Sequence, residues 1–176
     1  MLLPPARQPG RYPIALVCLG NICRSPMADV VLAHRLDEAG LGDVVLVRSA
    51  GTGSWHVGNP MDPRAAATLS AAGHDPTRHR AQQYDASWWP GLDLVLAMDA
   101  DNLSTLADLV PALTEQENAR LRLYGDLDPC TPGAHVPDPY YGGDDGFREV
   151  LQMVERTTGA LVAALADQRP WDEPPR

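Results

Sequence analysis

Lysine is absent from this 176-residue sequence: the basic side chains are 14 arginines, set against 23 aspartates and glutamates. The use of one cation carries little functional weight, but the resulting net charge of −9 argues against a nucleic-acid partner. It also means that any anion site must build its own local positive field. Cysteine is scarce, and three of them, an odd count, make a poor disulfide framework. No apolar run is long enough to span a membrane, and the N-terminus lacks a secretory pattern. These absences lead us to expect a cytoplasmic protein without a membrane partner. What is present, a 44% hydrophobic chain of this length, suffices for one domain with a sizeable core.

Strand and helix patterns alternate along the chain. Ile14–Val17, Val44–Val47, Leu92–Met98 and Leu121–Tyr124 read as strands. Between and after them, Asp62–Ala72, Asp101–Leu109 and Gly146–Ala166 read as helices, the second of these capped by Asp99. Asp62 is placed to cap its helix, with Pro63 at the first position and Gly73 at the end. The last helix carries an apolar side that includes Phe147, Val150, Leu151, Val154 and Leu161. Such alternation predicts an α/β fold: a doubly wound, four-stranded parallel sheet with helices on both faces. Residues 1–11 and 169–176, rich in proline and arginine, read as flexible arms flanking a domain over 12–168.

The chemistry concentrates after the first strand, in Cys18-Leu19-Gly20-Asn21-Ile22-Cys23-Arg24-Ser25-Pro26. Ser25 and Pro26 signal a helix start, so Cys18 to Arg24 forms a tight turn from the carboxyl end of a buried strand to the amino end of a helix. Open α/β sheets bind anions at that place. Backbone N–H groups of Leu19, Gly20, Asn21, Ile22, Cys23 and Arg24 are expected to cradle a phosphate. Gly20 lets the backbone come close or turn left-handed, and the Arg24 fork can hold two phosphate oxygens. A thiol at the floor of such a site is favoured as thiolate, which makes Cys18 a candidate nucleophile. Cys-x5-Arg alone is a weak signal, and an inert buried cysteine in a βα turn is the competing reading; the strand, glycine and Ser-Pro context give the motif its weight.

The stretch CLGNICRSP resembles the phosphate loop of the low-molecular-weight protein tyrosine phosphatases, and the resemblance extends from Pro13 to about Ala166. It implies hydrolysis of phosphotyrosine through a cysteinyl-phosphate, with no metal and no cofactor. It implies phosphotyrosine-containing proteins as substrates and, because some members are phosphorylated on a matching tyrosine pair, a tyrosine kinase as a partner. His135-Val136-Pro137-Asp138-Pro139-Tyr140-Tyr141-Gly142-Gly143 resembles the family's acid loop, which makes Asp138 the expected proton donor and later the base; Asp144 and Asp145 have weaker claims. Trp55, Tyr140 and Tyr141 match the family's aromatic walls, a slot suited to a long, flat phosphotyrosine. Asn21, Ser25, Ser49 and His79 match its supporting hydrogen-bond network, although Gln82 stands where the family often has arginine. Asp99 also matches a family position, with helix capping as its simpler role. Trp88 and Trp89 match no functional position and read as packing. Cys23 matches a cysteine that traps the nucleophile as a disulfide in the family.

Other readings remain open at this point. Cys18, Cys23, Cys130 and His135 supply four possible zinc ligands, although neither spacing is a standard one and Arg24 would repel a cation. Arsenate reduction on the same scaffold would need a cysteine relay, and residues 80–100 contain no cysteine. Phosphoarginine hydrolysis goes with a threonine where this chain has Ile22. A phosphate-binding module without activity would not need Cys18, Arg24 and Asp138 together.

Overall fold

The computed structural model describes residues 2–110 and 114–172, the side chains of 115 and 116 excepted. Four parallel strands, β1 (Tyr12–Cys18), β2 (Val45–Gly51), β3 (Leu94–Ala97) and β4 (Leu121–Leu123), form one sheet in the order β2-β1-β3-β4. Five helices accompany them: α1 (Arg24–Glu38), α2 (Pro63–Ala71), α3 (Ala100–Leu109), the four-residue α4 (Glu115–Asn118) and α5 (Asp144–Gln168). Two 3-10 turns not foreseen from the sequence, Ala86–Gly91 and Tyr124–Leu127, complete the set. The doubly wound architecture is as expected.

Period-two alternation divides the central strand between two cores. Tyr12, Ile14 and Leu16 of β1 join Leu94 and Leu96 of β3 against α1 and α5, with Met27, Val31, Phe147, Val150 and Val154 filling the layer. Ala15, Val17, Val95 and Ala97 face the other way, onto Leu106 of α3 and onto Tyr84, Trp89 and Leu92. Burial on both faces explains why β1 is a continuous apolar run. With the order β2-β1-β3-β4, the chain leaves the carboxyl ends of β1 and β3 towards opposite edges of the sheet, and the crevice outside those ends is where open α/β sheets bind ligands. Asp62 caps α2 through the Arg64 amide as anticipated, and Asp99 caps α3 through Asn102.

The described residues of the two arms make specific contacts. Residues 2–11 hold no regular structure beyond turns, yet Leu3 and Ala6 are buried, and the Arg7 amide donates to Asp93 Oδ1 at 2.6 Å. Arg7 also forks onto Glu117 at 3.0 and 2.7 Å, while Arg120 reaches both Asp93 and the Pro5 carbonyl. On the C-terminal side Trp171 is buried, its ring 6.2 Å from that of Tyr12, and its carbonyl accepts from the Gly10 amide. The two segments therefore pack on each other and on the sheet; residues 173–176 lie outside the described residues.

Candidate active site

The turn after β1 is held from outside by its carbonyls. Those of Cys18 and Leu19 accept from the amides of Thr52 and Gly53 (both 2.9 Å), that of Ile22 from the Asp62 amide (2.9 Å), and that of Cys23 from Met27 (3.1 Å). The Asn21 carbonyl meets His79 Nε2 at 2.7 Å. In a trans peptide the N–H of the next residue points opposite to the carbonyl, so this arrangement turns the amides of Leu19, Gly20, Ile22, Cys23 and Arg24 inward. The turn also opens α1, a 15-residue helix whose dipole adds partial positive charge at that end.

The left-handed residue is Asn21, with φ 54°, rather than Gly20. Asparagine tolerates that conformation because its short side chain bonds locally: Nδ2 donates to Ser25 Oγ at 2.9 Å and Oδ1 accepts the Gln82 amide at 2.9 Å. Gly20 serves close approach instead, since a Cβ there would stand 3.0 Å from His56 Cδ2. Gly51, at the end of β2, is tighter still: a Cβ would lie 2.7 Å from the Leu19 carbonyl oxygen.

Cys18 lies at the base, 3% exposed. Its Sγ accepts the Asn21 amide at 3.3 Å and stands 3.0 Å from Ser25 Oγ. Ser25 is not the helix cap that the sequence suggests. Its hydroxyl is occupied with Cys18, Asn21 and the Ala50 carbonyl, and α1 starts two residues before Pro26, at Arg24, without a side-chain cap. Cys23 is buried as well; desolvation, reinforced by the negative charge of Asp62 and by the Cys18 sulfur, pushes its thiol far above the usual thiol range.

Arg24 runs along the cleft, its side chain 4% exposed. Nη1 donates to Asp99 Oδ2 at 2.5 Å and to the Val136 carbonyl at 3.2 Å, and Nη2 lies 3.3 Å from Asp138 Oδ2. Burial works against this cation, but the adjoining Cys18 sulfur and the Asp99 hydrogen bond outweigh it and raise its pKa. Asp99 thus does both things open to it, capping α3 and orienting Arg24. Asp138 is exposed on its loop, its carboxylate also accepting the Tyr140 amide at 3.2 Å.

A cleft of about 310 Å³ is lined by Cys18, Ile22, Cys23 and Arg24 at the base and by Trp55, His56, Asp138, Tyr140 and Tyr141 at the sides. The three expected aromatic walls are therefore all at its rim, Trp55 and Tyr141 largely in solvent at 70% and 94% exposure. Trp55 folds over Gly53, where any Cβ would meet the indole. His56 is a lining residue the sequence reading missed; its adjacency to Trp55 was the available signal. His79 supports the loop through Asn21, and burial lowers its pKa against the opposing effect of that hydrogen bond. Among the described residues, Ser49 makes no hydrogen bond to the loop. Burial raises the pKa of the nearby Asp29 carboxylate of α1 against the lowering effect of Ser49, and the Ser49 carbonyl accepts Gln82 Nε2 at 2.9 Å. Gln82 thus bonds both Asn21 and Ser49. The four cysteine and histidine zinc candidates are not gathered: among the described residues no group of three or more His, Cys, Asp or Glu side chains is arranged as metal ligands.

Comparison with known proteins agrees with this geometry. The family described as low molecular weight phosphotyrosine protein phosphatase matches residues 13–170. A low molecular weight protein-tyrosine-phosphatase of Streptomyces coelicolor is 48% identical over 159 residues, covering 89% of this chain and 95% of its own. The corresponding phosphatase of Schizosaccharomyces pombe is 40% identical, covering 81% and 90%. A crystal structure of a protein tyrosine phosphatase from Entamoeba histolytica superposes with a TM-score of 0.82 at 32% identity, covering 90% of this chain and 99% of that one. On its phosphate loop, its sheet and this extent of similarity, the chain belongs to the low molecular weight phosphotyrosine protein phosphatase family.

Proposed function

We propose that this chain hydrolyses phosphotyrosine in proteins with Cys18 as nucleophile, Arg24 as phosphate clamp and Asp138 as acid and then base. The observation that carries the reading is the convergence at one cleft of the Cys18 sulfur, an inward-turned amide loop, the Arg24 fork and an exposed carboxylate. Cys18 Sγ attacks phosphorus as a thiolate. The S–P bond forms and the bond from phosphorus to the phenolic oxygen breaks, while Asp138 gives its proton to the departing oxygen. Water then attacks the phosphocysteine and passes a proton to the Asp138 carboxylate, and the S–P bond breaks to return thiolate and inorganic phosphate. The inward amides of Leu19, Gly20, Ile22, Cys23 and Arg24 and the Arg24 guanidinium hold the equatorial oxygens through both steps. Ser25 donates to the thiolate when it leaves. Trp55, Tyr140 and Tyr141 form the slot for the aromatic ring, whose depth favours phosphotyrosine over the shorter phosphoserine.

No helix among the described residues is long and apolar enough to cross a membrane, which fits a place in the cytoplasm. A tyrosine kinase supplies the substrate in this reading, and Tyr141, almost fully in solvent, is accessible to one. The test is hydrolysis of p-nitrophenyl phosphate and of a phosphotyrosine peptide with EDTA present. Cys18→Ser is expected to abolish turnover and Asp138→Ala to lower it by about 10² or more. Inactive wild-type protein with confirmed free thiols would point instead to a binding module.

A further inference from the structure

The acid loop has two cationic tethers, and the second is outside the chemistry just described. Arg64, in the first turn of α2, donates through Nη2 to the Tyr140 carbonyl at 2.9 Å and through Nη1 to the Gly142 carbonyl at 3.1 Å. The same guanidinium holds Asp62 through Nε at 3.1 Å and Nη2 at 3.0 Å, while the Asp62 amide donates to the Ile22 carbonyl of the phosphate loop. Its flat faces are used too: its central carbon lies 5.8 Å from the Tyr140 ring centroid and 4.7 Å from that of Phe147, in the first turn of α5. We propose that Arg64 is a positioning residue that sets the height of the acid loop over the phosphate loop, and so the reach of Asp138 to the leaving oxygen.

The inference rests on the role assigned to Asp138. From Asp138 to Gly143, among the described residues, the side-chain hydrogen bonds from other elements come from Arg24 and Arg64; the Gly146 amide of α5 bonds the Gly143 carbonyl, and the rest, Tyr140 amide to Asp138 and Gly142 amide to Pro139, are internal. A phosphate in the Arg24 fork takes over the donors that now face Asp138. Arg64 then holds the loop while the carboxyl turns to the leaving group. A misplacement of about 1 Å at that point costs up to 10²-fold in rate.

The distinguishing measurement is kcat/KM for 2,4-dinitrophenyl phosphate, whose leaving group departs without a proton, against phenyl phosphate, whose leaving group needs one. For Arg64→Ala we expect a fall of about 10-fold or more with phenyl phosphate and less than about 2-fold with the dinitrophenyl ester. Arg64→Lys, which keeps the charge but lacks the fork, should show a smaller fall with the same bias, and it carries the test if the alanine variant does not fold. Asp138→Ala runs alongside. If its loss is equal on the two substrates, the acid assignment fails. If its loss is biased and that of the Arg64 variants is equal or absent, Asp138 stands and the positioning role of Arg64 is overturned.

Discussion

The phosphate loop and the acid loop face each other across one cleft and are built on opposite plans. In the first, Cys18, Asn21, Cys23, Arg24 and Ser25 are all buried, and five of the loop's carbonyls are engaged by β2's following turn, α1, α2 and the His79 segment. The second is in solvent except for Val136 and Pro139, and from Asp138 onward its side-chain tethers are two arginines. The difference follows from what each must do. Donors that stabilise a developing charge act best when they are already in place. A proton donor must leave one partner for another, and an exposed loop with few tethers permits that movement.

The contrast can be broken from the rigid side. Asn21→Ala puts a residue without side-chain bonding in the left-handed region and removes two hydrogen bonds, one buried and one part-buried. It should cost about 3 kcal/mol in stability and lower kcat/KM by about 10-fold or more, read by denaturant melts and p-nitrophenyl phosphate turnover. Tyr141→Ala on the other loop should leave stability within about 0.5 kcal/mol. If the two variants proved equally stable, the contrast would be wrong.

A smaller effect sharpens it through pH. Burial lowers the pKa of His79 below that of a free imidazole, against the bond to the Asn21 carbonyl. Below about pH 6.5 the unfolded chain therefore takes up a proton that the folded one resists. Stability should rise with pH across that window and fall as the pH drops through it. His79→Gln should flatten the slope by up to about 1 kcal/mol between pH 7.5 and 5.5; identical slopes in denaturant melts would show that His79 is not buried in its neutral form.

The phosphate loop was legible because its signals are local: an apolar strand, a glycine and a helix start within about ten residues of Cys18. Its internal bonding was less so. Ser25 looks like a cap by every local rule, and only the proximity of Cys18, Asn21 and Ala50 draws its hydroxyl away. The packing of the arms was hard to read for a related reason. Proline and arginine suggest loose chain, but Arg7 finds Asp93 and Glu117 far along the sequence, and Gly10 finds Trp171. Arg64 left no trace at all, since its partners on the acid loop are backbone carbonyls 76 and 78 residues away, and a carbonyl has no residue signature. Local chemistry is written in the sequence; long-range bonds to backbone are not.

The most direct test of the central claim is to quench the wild-type protein with acid during turnover of an aryl phosphate and locate the phosphoryl group by peptide mass spectrometry. The account predicts a phosphocysteine at Cys18 and no adduct in Cys18→Ser. A phosphoryl group on another residue, or none while wild type turns over, would contradict it.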